Sequence, residues 1–217
     1  PRDILDAEIQ RILDLGIETR LKCRVGTDIP MEEIRKNYDA VFLGMGAQGG
    51  RPLPLADAQA PNVVTATAFL KAFNDGRLHH VGKRVVVVGG GDTSIDVATV
   101  ARRLGHIDQV NESDRPENAM AAGAGFAAHD AALLSKRQGA EVTLTSVFPI
   151  EKMQASKHEV EHALGEGLAI RGGTVPIAVI RDANGRATAL RVIKCEAKMA
   201  GGKLDIKQFP GTEEDIE

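Results

Sequence analysis

The segment KRVVVVGGGDTSIDVATVARRLG, residues 83–105, constrains the fold of this chain more than any other. Four consecutive valines, Val85 to Val88, run into Gly89-Gly90-Gly91, and a helical pattern starts at once after them. An all-valine strand has no polar face, so it belongs in a parallel sheet covered on both sides. Gly89 permits a tight turn, and Gly91 lets the backbone come close to a diphosphate. From Thr93 to Leu104 the apolar residues Ile95, Val97, Ala98, Val100, Ala101 and Leu104 give a helix one face for the sheet. Its free N–H groups and positive dipole end suit a phosphate, with Asp92 and Thr93 expected as its caps. Ser94 stands at the third glycine position of GxGxxG, and its hydroxyl or that of Thr93 is a candidate phosphate donor. The competing reading is a glycine turn that serves packing alone.

At 217 residues, the chain is one large domain or two small ones. With 43% hydrophobic and 26% charged residues and a net charge of −3, it lacks the clustered basic surface that nucleic acid or an anionic membrane requires. Aromatics are 3% and glycines number 23, which suits close-packed α/β layers of Val, Ile, Leu and Ala. Cys23 and Cys195 read as buried thiols rather than a disulfide or metal pair, and the six histidines form no ligand pattern, so no metal site is expected. His158 and His162 share a helical face without a third ligand, and His129-Asp130 reads as structural. No stretch approaches the roughly 18 apolar residues of a membrane span and no leader is visible, so the cytoplasm is the expected location. The chain opens on Pro1 with a helical pattern directly behind it, as part of a longer polypeptide would.

Along the chain, residues 1–16 read as a helix, 17–25 as a half-buried strand, 30–37 as a short helix and Ala40 to Leu43 as a strand. That last run ends in Gly44-Met45-Gly46-Ala47, a second strand–glycine junction. Arg51-Pro52 and Pro54 follow it, so no helix start awaits a phosphate there. The three prolines of 51–62 read as a linker. Beyond the glycine helix come an irregular stretch over 106–122, a helix over 125–139 and a strand over 140–148 stopped by Pro149. A helix over 155–167 and a hairpin at Asn184-Gly185 follow, and the polar tail from Gly201 is expected to fray. The expected fold class is α/β: a Rossmann-like NAD(P)-binding domain with a parallel sheet plus a β-hairpin.

Three stretches, YDAVFLGMGA, GKRVVVVGGGDTSIDVA and GAEVTLTSVFPIEKMQASKHEVEHALGEG, resemble the small (beta) subunit of NADPH-dependent glutamate synthase and its relatives. The resemblance extends over nearly the whole chain. It implies a two-dinucleotide flavoprotein in which an NAD(P)H-binding domain is inserted into an FAD-binding domain. Residues 1–56 would then be a partial FAD-domain segment, 57–200 the NAD(P)H domain and 201–217 a return segment toward the FAD domain. Gly46 and Ala47 would sit at the crossover, beside a ligand held elsewhere. The family's iron–sulfur segment and first FAD-binding glycine motif have no counterpart here, so nicotinamide binding is expected to exceed flavin binding.

The implied reaction is hydride transfer from NAD(P)H to FAD, with electrons passing through iron–sulfur clusters to a larger catalytic subunit or another acceptor. It asks no nucleophile or metal of this chain, and no catalytic residue is assigned. The expected coenzyme contacts are Gly89, Gly90, Gly91, Asp92, Thr93 and Ser94, with Asp96 where the coenzyme approaches flavin. The coenzyme itself is NADP or NAD. Where the family carries tyrosine and an arginine pair for the 2′-phosphate, this chain has Ser146-Val147-Phe148-Pro149. Lys152 and Lys157 are the nearby basic residues, and solvated surface charge is the other reading for both. A rival from a different class is a non-catalytic module that binds an adenine nucleotide at the same turn.

Overall fold

The computed structural model describes residues 2–47, 49–107, 110, 112–121 and 139–217. The helix expected over 125–139 and the His129-Asp130 pair fall outside these residues, Gly139 excepted. The chain divides into two units, Pro1–Gly46 and Ala47–Glu217.

The first unit holds helices α1 (Arg2–Leu13) and α2 (Met31–Asn37). The strands expected over 17–25 and 40–43 are not formed; the first stretch has only a bridge from Val25 to Ile29. A strand exists through partners that take up its backbone groups, and this unit has no strand to pair with either segment. The apolar stripe of α1 is also open, with Ile4, Leu5, Ile9 and Ile12 each at least 46% exposed. Alternation and periodicity recorded which side chains favour burial; they did not supply the surface that would bury them.

In the second unit, α3 (Ala66–Asn74) is capped by Thr65, whose side chain accepts from Ala68 N. Then come β1 (Arg84–Val88), α4 (Asp92–Leu104), the short α5 (Pro116–Ala121), β2 (Glu141–Ser146), α6 (Lys157–Gly165) and β3 (Ala169–Gly172). The three strands form a parallel sheet in the order β1-β2-β3, with Val85 beside Val142 and Leu144 beside Ile170. The chain then turns into an antiparallel sheet of β4 (Thr174–Arg181), β5 (Ala187–Ala200), β6 (Lys203–Gln208) and β7 (Glu214–Ile216).

The valine strand is covered on both faces, as its sequence requires. Val87 and Val85 face a core built with Phe69, Ile95, Ala98, Ala101, Leu144 and Val160. Val86 faces a second core of Val179, Leu190, Val192 and Ile216. That second cover is the antiparallel sheet. It includes Leu53, Leu55, Ala58 and Val63, so the stretch read as a linker is part of the core. Asn62 ties this stretch down: its Nδ2 donates to Ala187 O and its Oδ1 accepts from Ala187 N, both at 2.9 Å. One side-chain amide thus stands in for a neighbouring strand.

The hairpin at Asn184-Gly185 forms, with Asp182 Oδ1 accepting from Asn184 N and Arg186 N and Gly185 at φ +76°. The tail does not fray. Gly201 and Gly202, at φ +56° and +77°, turn β5 into β6, and β7 returns to pair with β5. Two positive-φ glycines are the usual material of a two-residue hairpin turn. Behind the glycine turn, Arg102 of α4 donates to Glu166 O at 3.1 Å and to Ala140 O at 2.7 Å, joining α4 to the end of α6 and the start of β2. Arg103 forms a two-point ion pair with Glu166, which His162 also approaches at 3.3 Å.

Asn62→Ala leaves the Ala187 amide and carbonyl without partners and is expected to destabilise the chain by about 1–3 kcal/mol, read from urea unfolding. Hydrogen bonding and charge from Arg103 hold the Glu166 carboxyl below its ordinary value. The native chain therefore binds fewer protons there than the unfolded chain. Its stabilisation is complete above the unfolded value of about 4.3 and is lost as pH falls through the lower native value. Glu166→Gln should lower the urea midpoint most near neutral pH, and the difference should vanish in acid.

Candidate functional site

The site is built where β1 hands over to α4. Gly89, at φ +139°, makes the last ladder bond of the strand, its N–H donating to Thr145 O at 2.9 Å. Gly90 O accepts from Ala155 N at 2.9 Å, which fixes the segment before α6 against the turn. Gly91 is the N-cap of α4 and provides no side-chain cap; its carbonyl accepts from Ser94 N and Ile95 N. Among the described residues, nothing accepts a hydrogen bond from the N–H groups of Gly90, Gly91, Asp92 or Thr93. Four consecutive unmet donors at a helix start form a cradle for an anion.

The three glycines have different reasons to be glycine. A Cβ on Gly89 would run into Ser94 Oγ, and the positive φ excludes most side chains in any case. A Cβ on Gly90 would lie 2.5 Å from Ser146 Oγ and 3.1 Å from Ser146 Cβ. A Cβ on Gly91 would meet nothing within 4 Å, so this position faces open space beside the unmet amides. The donors are present there and the room beside them is free.

The structure gathers Gly89, Gly90, Gly91, Asp92, Thr93, Ser94 and Ser146 around one turn. Ser94 lets Gly89 approach α4, and Ser146 is 2% exposed with its hydroxyl accepting from Phe148 N at 3.1 Å. Both serines shape the turn. Neither Asp92 nor Thr93 caps α4 as expected, since Gly91 is the N-cap; Asp92 Oδ1 instead accepts from Ser156 N at 3.0 Å, at the start of α6. Asp96 is exposed on α4, one turn on. Lys152 and Lys157 are exposed, and Lys157 pairs with Glu161 at 3.8 Å along its own helix. Gly46 and Ala47 stand on the divide between the two units and are not part of this turn. His158 and His162 stack with ring centroids 6.5 Å apart.

Sequence reasoning missed Thr145, Met153, Ala155 and Glu159, all at or beside the turn. A signal for the last was present: Ser156 and Glu159 are three apart at a helix start, the spacing of a capping box. Gly172 was missed too; a Cβ there would lie 2.9 Å from Pro149 Cα and Ile150 N, so the loop after β2 rests on it. A cavity of about 590 Å³ follows the free edge of β1, lined by Leu53, Val63, Val86, Leu190 and Ile216 and reaching Ser94. Cys195 is buried, and burial pushes its thiol above the ordinary value, while Cys23 is half-buried; both are free.

Residues 5–122 match the family described as pyridine nucleotide-disulphide oxidoreductase. The chain belongs to this family. It is 28% identical over 218 residues to the NADPH-Fe(3+) oxidoreductase subunit beta of Geobacter sulfurreducens, covering 98% of this chain and 28% of that protein. It is 27% identical over 207 residues to the glutamate synthase [NADPH] small chain of Escherichia coli, covering 90% and 37%. The chain thus spans about a third of the length of these relatives. The solved structure of Mycobacterium tuberculosis FprA in complex with NADPH superposes with a TM-score of 0.59 at 19% identity, over 89% of this chain and 51% of that one. This likeness establishes the fold alone, a mixed α/β arrangement of helices with a parallel and an antiparallel sheet. Among the described residues no helix is long and apolar enough to cross a membrane.

Gly90→Ala forces Ser146 aside and is expected to cost about 1–3 kcal/mol. Adding Ser146→Gly should restore a large part of that loss. Urea unfolding of both single variants and the double variant measures the coupling, and additive effects would contradict the contact.

Proposed function

We propose that this chain is the NAD(P)H-binding portion of a flavin-dependent oxidoreductase of the glutamate synthase small-subunit type. In that reading the parent protein passes hydride from NAD(P)H to FAD and electrons onward to a partner subunit. One observation carries the reading: the row of unmet N–H groups from Gly90 to Thr93, at the start of α4 and beside the open side of Gly91. Membership of the pyridine nucleotide-disulphide oxidoreductase family supports it, as do relatives whose names specify NADPH.

In this reading the chain's own groups bind and orient. The amides of Gly90, Gly91, Asp92 and Thr93 hold the diphosphate, aided by the dipole of α4. Gly89 and Ser94 keep the turn close to the sheet, and Ser146 supports Gly90 from β2. Asp96 lies further along α4 toward the nicotinamide half. Lys152 and Lys157 are the basic groups on offer to a 2′-phosphate. When bound, the coenzyme would supply the hydride, and the protein supplies position. The partial FAD-domain role of residues 1–56, with Gly46 and Ala47 at the crossover, belongs to the same proposal.

Gly91→Asp separates binding from folding. Asp is a favourable N-cap residue and its side chain enters open space, so stability should hold. Its carboxylate would occupy the amides and repel the diphosphate. Thermal midpoints with NADPH, NADH, ATP and FAD should rise for the unaltered chain with reduced nicotinamide coenzymes. With Gly91→Asp the rise should disappear while the ligand-free midpoint stays. A response to ATP alone would favour the non-catalytic module, and no response to any ligand would defeat the proposal.

A further inference from the structure

Ser156 and Glu159 open α6 with the S-x-x-E spacing, in which the glutamate ordinarily reaches back to the serine amide. Only half of that exchange is made here. Glu159 N donates to Ser156 Oγ at 3.3 Å, but Ser156 N donates to Asp92 Oδ1 at 3.0 Å. Asp92 is the first residue of α4, directly after the glycine turn, so a residue of the turn has taken the place of Glu159 in the cap. Glu159 is left against the Asp92 carboxyl, and among the described residues its buried Oε2 has no hydrogen-bond partner.

Among the described residues, the groups that act on Glu159 are the carboxyls of Asp92 and Asp96 from α4 and the Ser156 hydroxyl from its own element, and none of these is cationic. The Asp92 contact, then burial, then the charges of Asp92 and Asp96 raise the Glu159 carboxyl above its ordinary value, with the Ser156 hydroxyl opposing. Two carboxyls in contact are held most simply by one proton between them.

We propose that Asp92 and Glu159 form a proton-sharing carboxyl pair that governs dinucleotide binding at the adjoining glycine turn. The proposal rests on the reading of that turn as a diphosphate site. With a proton from solvent, the Glu159 hydroxyl donates to Asp92 and the pair carries one negative charge; without it, the pair carries two. A diphosphate at the neighbouring amides adds negative charge, so it favours the singly charged pair and binding takes up a proton. By linkage, affinity is greatest where the pair is protonated and falls as pH rises through the raised Glu159 value.

Calorimetric titration of the full chain with NADP+ from the ordinary glutamate range, about pH 4.3, up to pH 8.5, in buffers of different ionisation enthalpy, reads affinity and proton uptake together. Affinity should fall about tenfold more across this range in the unaltered chain than in Glu159→Gln, a change equivalent to one pH unit of linked titration. Proton uptake should be lost in Glu159→Gln, whose amide donates to Asp92 without titrating. Titration of the 2′-phosphate of NADP+ is common to both proteins and cancels. Asp92→Asn, which removes the other carboxyl, should also lose the uptake and guards against misfolding of the first variant. NADP+ binding with the same pH profile in all three proteins would overturn the carboxyl pair and leave the diphosphate site intact. No NADP+ binding at any pH would overturn the site and the pair together.

Discussion

The second unit depends on the absence of side chains at two successive positions. Gly89 and Gly90 bring the end of β1 against Ser94 of α4 and Ser146 of β2, at separations that a Cβ would violate. That approach lets Ala98 and Ala101 of α4, both fully buried, lie on the sheet. It also leaves the first amides of α4 beyond the strand end, where among the described residues nothing accepts from them. Packing and function share one cause here: the turn that lets the helix sit close is the turn that leaves donors unmet.

Those donors lie beside carboxylates. Asp92 binds the start of α6, and Ala155 N binds Gly90 O, so the segment from Met153 to Glu159 forms one wall of the turn. Arg102 closes the far end of α4 onto the same two elements. Helix α4 is therefore held at both ends by α6, a helix more than fifty residues away in sequence.

Much of this was legible in the residues. Val85 to Val88 specified a strand buried on both faces, and the apolar spacing after Gly91 specified α4 and its orientation. Asn184-Gly185 announced its hairpin, and the same logic applied to Gly201-Gly202 would have recovered β6. The strands expected at 17–25 and 40–43 failed because a strand is a relation between segments, and no partner lies within their unit. The proline-rich stretch read as a linker because proline rules out ladders; its leucines packed against β4 and β5 without needing one.

The sequence by itself determined the local chemistry: where the chain turns, which helix follows, and that free amides would stand after Gly89. These depend on φ preferences and on hydrogen bonds between near neighbours, which short spacings encode. Tertiary structure alone decided that Ser146 supports Gly90, that Asn62 serves as a strand edge, and that Asp92 caps α6 in place of Glu159. Each of those contacts joins residues more than fifty positions apart. Their energies arise only when the chain has folded them together, and no local pattern records them.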